Sequence, residues 1–457
     1  MIKENYFHSV TLDSASCKGC ITCVKRCPTE AIRVRGGKAK ILKERCIDCG
    51  ECIRVCPHHA KRAITDPLSG WSNYKYKIAL PAPSLFGQFH NLDDIDIVLR
   101  GLLGMGFDEV FEVSQAAELV SDATRKLMSE GALPRTTISS ACPAVLRLIR
   151  VRFPQLLENV LPLNAPVEVA ARIAKRQAAR KTGLPLSDIG AIFISPCPAK
   201  VTASKKPLGT AHSDIDLVVS VSEVYPKLLA AMNALERSGK AVSDTPLSNS
   251  GRIGISWGRS SGEASATLHE RYLAADGIEN VIRILEAMED EKLYNLDFIE
   301  LNACSAGCVG GVLNIENPYV AATRLKRLSH YRPVSCNHIG DNLPPEVKWD
   351  KEVCYEPVMR LDPNPIKAME MLSAMGEIEE RLYGLDCGSC GAPSCHALAE
   401  DIVRGYSTED ACIYVLKDKL EVVLEGMMSL NLTGTVPRKQ KPAGQQKEEE
   451  NAKEEVL

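Results

Sequence analysis

The spacing of the cysteines constrains this chain more than any other feature of its sequence. The chain has 457 residues and 18 cysteines, of which all but Cys336 and Cys354 fall into three groups with the spacing of iron–sulfur sites. No secretory pattern precedes them in residues 1–16. Cysteines in this number and context favour metal thiolates over disulfides. The sequence therefore predicts a protein organised around several iron–sulfur clusters, with Cys336 and Cys354 as ordinary thiols.

The first group is a tandem motif near the N-terminus. Two runs with the spacing C-x2-C-x2-C-x3-C, each followed by proline, contain Cys17, Cys20, Cys23 and Cys27, then Cys46, Cys49, Cys52 and Cys56. The motif resembles bacterial two-cluster ferredoxins, in which the fourth cysteine of each run ligates the other cluster. The resemblance implies one 4Fe–4S cluster on Cys17, Cys20, Cys23 and Cys56, and a second on Cys46, Cys49, Cys52 and Cys27. Zinc is the alternative, but a zinc site needs only four ligands.

The last group lies near the C-terminus. Cys387, Cys390 and Cys395 occupy a Gly- and Pro-rich loop, and Cys412 follows a predicted helix over 396–404. This arrangement resembles a small 4Fe–4S domain of corrinoid and acetyl-CoA pathway proteins and of sensory hydrogenases. Zinc remains an alternative here, because four cysteines also suit zinc.

Between these groups the sequence alternates short apolar runs with helical periods. Runs at 78–80, 190–194 and 217–221 predict buried strands, and helices are predicted over 92–103, 116–129, 168–182 and 262–273. Alternation of this kind predicts an α/β fold of parallel sheets flanked by helices. A further helix is predicted over 366–383.

Composition shifts divide the chain into regions. The divisions predicted are an α+β ferredoxin-like domain over 1–65, a linker over 66–76, a central domain over 76–365, a small iron–sulfur domain over 366–432 and a disordered tail over 433–457. The net charge is −3 and aromatic residues make up 5% of the chain. Neither value suggests the clustered basic charge of a nucleic-acid surface, so such a surface is not expected. No run reaches the roughly 18 apolar residues of a membrane span. We expect a cytoplasmic protein.

The central cysteines lie in three short motifs. Cys142 stands in Ser-Ser-Ala-Cys-Pro, Cys197 in Ser-Pro-Cys-Pro-Ala-Lys, and Cys304 with Cys308 in Ala-Cys-Ser-Ala-Gly-Cys-Val-Gly-Gly. They resemble the three cluster-binding loops of FeFe hydrogenases, and the resemblance extends over roughly residues 78–335. It implies a domain of two lobes and an H-cluster. The cluster is a 4Fe–4S cubane on the four cysteines, bridged by Cys308 to a diiron subsite with CO, CN and azadithiolate, and three further 4Fe–4S clusters accompany it.

The same resemblance implies further residues of the catalytic pocket. Lys200 matches a lysine that donates a hydrogen bond to one cyanide, and a charge-assisted bond of this kind is about twice as strong as a neutral one. The alternative for Lys200 is a solvated surface lysine. Pro83 and Ser84, in Ala-Pro-Ser, match the segment that lines the pocket of the second cyanide.

The departures from the family concern proton transfer. Ala141 stands where the family carries a proton-relaying cysteine, and a methyl group cannot relay a proton. Asp122 and Arg125 stand where the family has two relay glutamates. Glu263 and Glu300 are candidates for a substitute route, and the alternative for each is a helix cap or a surface acid.

Smaller departures flank the ligands themselves. Ser195 and Asn302 replace methionines, Ala203 replaces a glutamate, and residues 310–314 depart from the family's Gly-Gly-Gly-Gln-Pro.

These features together predict a hydrogenase of the sensory kind without a PAS domain. It would interconvert dihydrogen with protons and electrons slowly, passing electrons through the N-terminal and C-terminal clusters. The expected partners are a redox or signalling protein and the hydrogenase maturation factors, and a homodimer is compatible with the sequence. Two alternatives stay open: a metabolic hydrogenase with a non-standard proton path, and a non-enzymatic iron–sulfur assembly factor of the Nar type.

Overall fold

The computed structural model describes residues 7–238 and 245–429. The segment 433–457, interpreted from its composition as a disordered tail, lies outside the described residues. Among the helices of the described ranges, none combines the length and apolar character that crossing a bilayer requires.

Residues 7–65 form a head of two short antiparallel sheets and two one-turn helices. Its elements are β1 (Val10–Leu12), α1 (Thr22–Lys25), β2 (Ile32–Arg35), β3 (Lys38–Ile41), α2 (Glu51–Arg54) and β4 (Lys61–Ala63). Strand β1 pairs with β4, and β2 pairs with β3. Each helix begins within a cysteine run, so the compact backbone of these runs draws the cysteines toward a common centre. The core of the head is small and shared with its cysteines, as expected of a domain too short to bury a large apolar core.

The middle region begins with β5 and carries two parallel sheets. Its first half contains β5 (Tyr76–Pro81), α3 (Pro83–Phe86), α4 (Ile95–Met105), β6 (Glu109–Val110), α5 (Val113–Ser129), β7 (Thr137–Ile138), α6 (Pro143–Arg152) and α7 (Pro166–Thr182). Its second half contains β8 (Ile189–Ser195), α8 (Pro198–Lys205), β9 (Leu217–Ser220), α9 (Val221–Arg237), α10 (Arg252–Ser256), α11 (Gly262–Ala266), β10 (Tyr272–Asp276), α12 (Ile278–Glu289), β11 (Phe298–Asn302) and α13 (Pro318–Ser329).

The larger sheet has the strand order β6-β5-β8-β9, and all its pairs are parallel. Alternate residues of β8 point to opposite faces, so Ala191 and Phe193 join one apolar core while Ile192 and Ile194 join another. A strand covered on both faces reads as a continuous apolar run, which is why residues 190–194 were predictable as a buried strand.

The smaller sheet has the order β10-β11-β7 and is also parallel. It forms the second lobe, with Ile299 and Leu301 of β11 packed in a third core. Two lobes of parallel sheet flanked by helices confirm the predicted fold class.

One predicted helix is wrong. The interval 262–273 is helical only in α11; Leu268 then takes a left-handed backbone with φ 59°, and residues from Tyr272 pair with β11 as the edge strand β10. The apolar period that suggested one long helix combines the buried face of α11 with the partly buried residues of an edge strand.

The interval interpreted as a linker, 66–76, is packed into the structure. Leu68 is fully buried in a core of the middle region. Asp66 pairs with β9 through its backbone amide, which donates to the carbonyl of Val218, and through its carboxylate, which accepts from the amide of Val218 at 2.8 Å. The head is therefore held against the larger sheet by ordered contacts.

Residues 365–429 form a C-terminal module of helices around a cysteine loop. Its helices are α14 (Pro365–Arg381), α15 (Cys395–Val403) and α16 (Ile413–Ser429). Its core combines α14 and α15 with Cys390, Cys395 and Cys412. A segment this small has few apolar residues to bury, so its cysteine loop supplies much of its interior.

Candidate catalytic and iron–sulfur sites

The central site lies where the parallel strands of both lobes end. Each of β5, β7, β8 and β11 is followed directly by a loop that the sequence analysis singled out. Since the carboxyl ends of parallel strands lie at one edge of a sheet, open α/β sheets place their ligands there. Here two such edges face a shared cleft, so loops from separate parts of the chain converge.

Local backbone geometry fixes two of the central cysteines. Cys142 and Cys197 are the residues immediately before α6 and α8, and each is followed by proline at the first helical position. Proline is pre-organised for that position because its fixed φ suits the first helical turn. Both sulfurs are thereby held at helix N-termini, where the helix dipole favours negative charge.

The other two central cysteines come from the loop after β11. Cys308 begins a short 3-10 turn, and Gly307 before it has φ 87°, a left-handed conformation that favours glycine. A side chain at Gly307 would collide with the backbone of Ser260 at 2.4 Å. Glycine at this position therefore allows the Cys304–Cys308 loop to pack closely against the neighbouring chain.

The four sulfurs lie close enough to affect one another's ionisation. Burial raises the pKa of Cys197 to about 11, with the charges of Cys308 and Cys142 adding to the effect. Burial also raises the pKa of Cys142 and Cys304. Buried thiols near one another ionise more easily beside a positive charge.

Lys200 supplies that charge. Its Nζ donates to Cys308 Sγ at 3.4 Å. Burial alone would lower the pKa of Lys200, but the thiolates of Cys308, Cys197 and Cys142 raise it above its ordinary value. The alternative of a solvated surface lysine is therefore wrong for this structure.

The pocket beside these residues fits a ligand with anionic groups. A cleft with about 590 Å³ of atom-free space is lined by Pro83, Ala141, Lys200, Glu263 and Cys308, among others. Ser84, behind it, is fully buried, and its hydroxyl has no hydrogen-bond partner among the described residues. An orphaned buried hydroxyl is costly unless a ligand satisfies it, so the donor set of Lys200 and Ser84 fits the two-cyanide site that the sequence predicted.

Ala141 lines this pocket, and its surroundings connect it to a carboxylate. The Ala141 amide donates to Ser139 Oγ at 3.1 Å, and that hydroxyl donates to Glu263 Oε2 at 2.5 Å. Glu263 is 7% exposed. The interpretation of Glu263 as a surface acid is therefore wrong.

Glu300 is the second buried carboxylate of the pocket. It accepts from the amides of Ser261 and Ala264 at 3.0 and 2.8 Å, which makes it a cap of α11, and from Asn302 Nδ2 at 2.6 Å. Burial raises the pKa of both Glu263 and Glu300, and the Glu300 charge raises that of Glu263 further. Two neighbouring buried carboxyls of this kind hold a proton more readily than isolated ones do.

Asp122 and Arg125 lie outside the lining of the cleft. They form an ion pair with each other at 2.7 Å. Asp122 also accepts from the amide of Ile339, and Arg125 donates to the carbonyl of Ala266. Their hydrogen bonds hold loops together and do not reach the pocket residues described above.

Two further departures from the family have structural roles. Ser195 Oγ accepts from the amide of Cys197 at 3.2 Å and donates to its carbonyl at 3.0 Å, so it fixes the turn that presents this sulfur. Asn302 orients Glu300. The sequence analysis treated both only as replaced methionines and missed these contacts, as it missed the hydroxyl of Ser139 between Ala141 and Glu263. The clue in each case was a polar residue at the end of a buried parallel strand or directly after it.

The structure brings the head cysteines near one another. The pKa of Cys23 is raised by burial and by its neighbours Cys20, Cys56 and Cys17. The pKa of Cys46 is raised by burial and by nearby charges that include Cys27 and Cys49. The pKa of Cys52 is likewise raised by burial and by Cys46 and Cys27.

Lys61 lies between these two sets. It is 2% exposed, and its Nζ has no hydrogen-bond partner among the described residues. Its charge acts on Cys23 of one set and Cys52 of the other, opposing the rise in pKa that burial causes. A buried, unpaired ammonium is unfavourable without a nearby anion, so Lys61 fits a head that holds anionic clusters.

The C-terminal cysteines also converge. Burial raises the pKa of Cys390, and Cys387 and Cys412 add to the effect. Cys395, the first residue of α15, packs in the same core. The remaining cysteines, Cys336 and Cys354, are exposed and separate from the groups.

Comparison with known proteins agrees with this geometry. A family model described as iron only hydrogenase large subunit, C-terminal domain, matches residues 75–275 and 265–312, which is more than half of the chain. A 4Fe–4S dicluster domain model matches residues 9–57, and an Fe–S cluster model matches residues 382–414.

Individual relatives are distant. Iron hydrogenase 1 of Clostridium pasteurianum is 23% identical over 66% of this chain and 64% of its own length. The NADP-reducing hydrogenase subunit HndD of Solidesulfovibrio fructosivorans is 23% identical over 58% of this chain and 55% of its own length. The chain thus spans less than two thirds of these relatives. The solved FeFe hydrogenase HydA1 of Chlamydomonas reinhardtii, variant E141A, is 17% identical with a TM-score of 0.42, covering 56% of this chain and 84% of that one.

The family model spans the middle region from β5 to the loop after β11, and so includes all four central cysteines and Lys200. The head and the C-terminal module match separate iron–sulfur models on either side of it. The chain belongs to the family of iron-only hydrogenase large subunits.

Proposed function

We propose that this chain is an FeFe hydrogenase that interconverts dihydrogen with protons and electrons, slowly, in the sensing of dihydrogen or redox state. The observation that carries the proposal is the convergence of the central cysteines with the partly buried Lys200 and the orphaned hydroxyl of Ser84. A structural iron–sulfur protein has no need of a cation and a free donor beside an open pocket.

The residues present have defined tasks in this proposal. The cofactor would be held by Cys142, Cys197, Cys304 and Cys308. Bound there, the H-cluster supplies the redox-active centre at which one dihydrogen exchanges with two protons and two electrons. Pro83 lines the pocket, Ser84 lies buried behind it, and Lys200 would neutralise anionic groups of the cofactor by a charge-assisted hydrogen bond.

Proton transfer falls to the buried carboxyls. A relay needs titratable or hydroxylic groups within hydrogen-bond reach, and Ser139 and Glu263 are linked in this way at 2.5 Å. The neighbouring Glu300 raises the pKa of Glu263, so the pair retains a proton at a higher pH than an exposed glutamate. Glu263 Oε2 would thus hold the proton that the missing thiol at Ala141 cannot.

Slow turnover follows from the same geometry. Ala141 places a methyl group in the lining of the pocket, and a methyl group cannot transfer a proton. Protons would therefore reach the pocket through Ser139 and Glu263. A sensor depends on the occupancy of a redox state and not on flux, so a slow exchange of protons is compatible with that role. The partners are a redox or signalling protein and the maturation factors that build the diiron subsite.

The first prediction concerns the metal content. Four cubanes and a diiron subsite require about 18 irons per chain after maturation, and about 16 without it, by the ligand groups described. Matured protein should show infrared bands of bound carbon monoxide and cyanide, and unmatured protein should not. Iron assay and infrared spectra of both preparations measure this. Without such bands after maturation with the synthetic diiron complex, an assembly-factor role becomes the better explanation.

The second prediction separates the central site from the C-terminal one. Cys308→Ser should abolish the carbonyl and cyanide bands, because a hydroxyl is a poor iron ligand beside a thiolate. Cys390→Ser should keep the bands, because Cys390 lies in the C-terminal module. Infrared spectra with iron assay measure both. Loss of the bands in Cys390→Ser would contradict the separation of the sites.

The third prediction concerns Glu263. Glu263→Gln keeps the hydrogen bond to Ser139 but cannot carry a proton, so turnover should fall by roughly 10²-fold, the lower range for a general acid or base. The raised pKa of Glu263 also predicts that the alkaline limb of the pH profile moves in this variant. Steady-state dihydrogen oxidation across pH measures the effect. Glu270→Gln, at an exposed position after α11, is the control, and an unchanged Glu263→Gln would remove this residue from the proton route.

The fourth prediction concerns Ala141. Ala141→Cys should leave turnover within about tenfold of the parent, because Asp122 and Arg125 are occupied by their own ion pair and do not continue an outer route. Dihydrogen oxidation and evolution rates test this. A hundredfold gain in the single variant would refute it.

A further inference from the structure

The C-terminal module packs against the head through the same loops that carry cysteines. The amide of Val34, in β2, donates to the carbonyl of Gly391 at 2.8 Å. Arg35 donates to the carbonyl of Cys390 at 3.0 Å. Gly391 has φ 85°, and a side chain there would meet the carbonyl oxygen of Val34 at 2.2 Å. The cysteine loop of the module is therefore shaped to lie directly on the head.

Lys25 reinforces the contact from the other side of the loop. It follows Cys23 by two residues, and its Nζ donates to the carbonyls of Asp386 and Pro393 at 2.6 and 2.8 Å. Ile21, between Cys20 and Cys23, lies 3.4 Å from the position that a Cβ on Gly388 would occupy. The contact thus joins the C-terminal loop to the particular head loop that carries Cys20 and Cys23.

Buried ion pairs fix this arrangement. Arg45 pairs with both carboxylate oxygens of Glu400, and Arg33 pairs with Asp401 at 2.8 Å. Arg35 pairs with the same Asp401. Arg33, Arg45, Glu400 and Asp401 are all less than 8% exposed. Breaking a buried pair leaves an uncompensated charge, so the module is held in one orientation.

The acids of this network stand on α15, whose first residue is Cys395. The same helix therefore carries a cysteine of the C-terminal group and the two carboxylates that dock it. Orientation of the module and position of its cysteines are coupled.

The opposite side of the head approaches the central site. Arg54 donates to the carbonyl of Gly310 at 2.8 Å. Cys49, Cys142 and Cys197 all pack against the same apolar core. Of the two cysteine sets in the head, the set that contains Cys49 therefore lies nearer to the central site.

We propose that the C-terminal cluster is the outer end of a single electron path. Its order is the C-terminal group, then Cys17, Cys20, Cys23 and Cys56, then Cys46, Cys49, Cys52 and Cys27, and then the central site. This inference rests on the proposed iron–sulfur sites and deepens the proposed function. The two electrons of each dihydrogen pass outward one at a time, each step reducing one cluster and reoxidising the one before it. They end on two molecules of an external one-electron acceptor.

The module also sets where that acceptor docks. It covers the head beside Ile21, Lys25 and Val34, so a carrier protein is kept from that loop. On the free flank of the C-terminal loop, Tyr383, Leu385 and Ser389 are exposed. The exit therefore lies on the C-terminal module, and a small one-electron carrier such as a ferredoxin suits it.

The experiment uses electron paramagnetic resonance of the full chain prepared without the diiron subsite, so that it does not depend on hydrogenase activity. In the reduced parent we expect the spin of the C-terminal cluster to be coupled to that of the adjacent head cluster, with split or broadened lines. Cys390→Ser should remove the C-terminal signal and narrow the head signal. Arg35→Met keeps every cysteine but loses the bonds to Cys390 and Asp401, and should weaken the coupling. Arg381→Met, at an exposed arginine of the module that pairs with Glu409, should leave it unchanged.

A C-terminal signal that relaxes independently in the parent would overturn the proposal, as would an Arg35→Met spectrum identical to that of the parent. On matured protein, Arg35→Met should slow dihydrogen-driven reduction of a ferredoxin by at least about tenfold while dihydrogen–deuterium exchange stays unchanged. Equal ferredoxin rates in parent and variant would place the exit elsewhere. Coupled spectra without dihydrogen exchange would instead refute the proposed function and leave the electron path standing.

Discussion

The balance between buried cysteines and the cations placed beside them underlies the whole structure. Burial raises the pKa of thiols in the central group, in the head and in the C-terminal module. Each group has a cation against it: Lys200 beside Cys308, Lys61 between the two head sets, and Arg35 at the loop of Cys390. Groups of buried cysteines and cations are unfavourable unless a bound ligand balances their charges. The fold is therefore suited to sites that hold iron–sulfur clusters. The same cations fix spatial relations between modules, because Arg35 belongs to the head and acts on the C-terminal loop.

Local and periodic features of the structure were predictable from the sequence. The proximity of the head cysteines follows from their spacing, and the strand at residues 190–194 follows from an apolar run buried on both faces. The four central cysteines were identified through a family resemblance, and their convergence depends on the shared edge of parallel strands, which spacing alone does not reveal. The prediction of one helix over 262–273 was wrong because the apolar residues of a short helix and of the edge strand after it together follow a helical spacing. Residues 66–76 have the composition of a linker, yet Asp66 and Leu68 are ordered by partners distant in sequence.

The carboxyl pair shows how long-range contacts change the chemistry of a residue. In the sequence Glu263 stands near the start of a predicted helix and Glu300 just before the third cysteine loop, with nothing to indicate that they meet. In the fold Glu300 caps the helix of Glu263 and sits beside its carboxyl. One residue thus stabilises the local backbone and alters the ionisation of its neighbour. Ser139 links that pair to the backbone of Ala141, so the position where the family's thiol is missing stays connected to a titratable group.

The contact between Arg35 and Cys390 joins residues 355 positions apart in sequence. The head is made first and the C-terminal module last, with the whole middle region between them. Their docking cannot form until nearly all the described chain has been synthesised. This contact is therefore the last contact between cysteine loops to form, and a chain interrupted before the last cysteine loop would contain all four central cysteines while the head loop of Cys20 and Cys23 stayed uncovered.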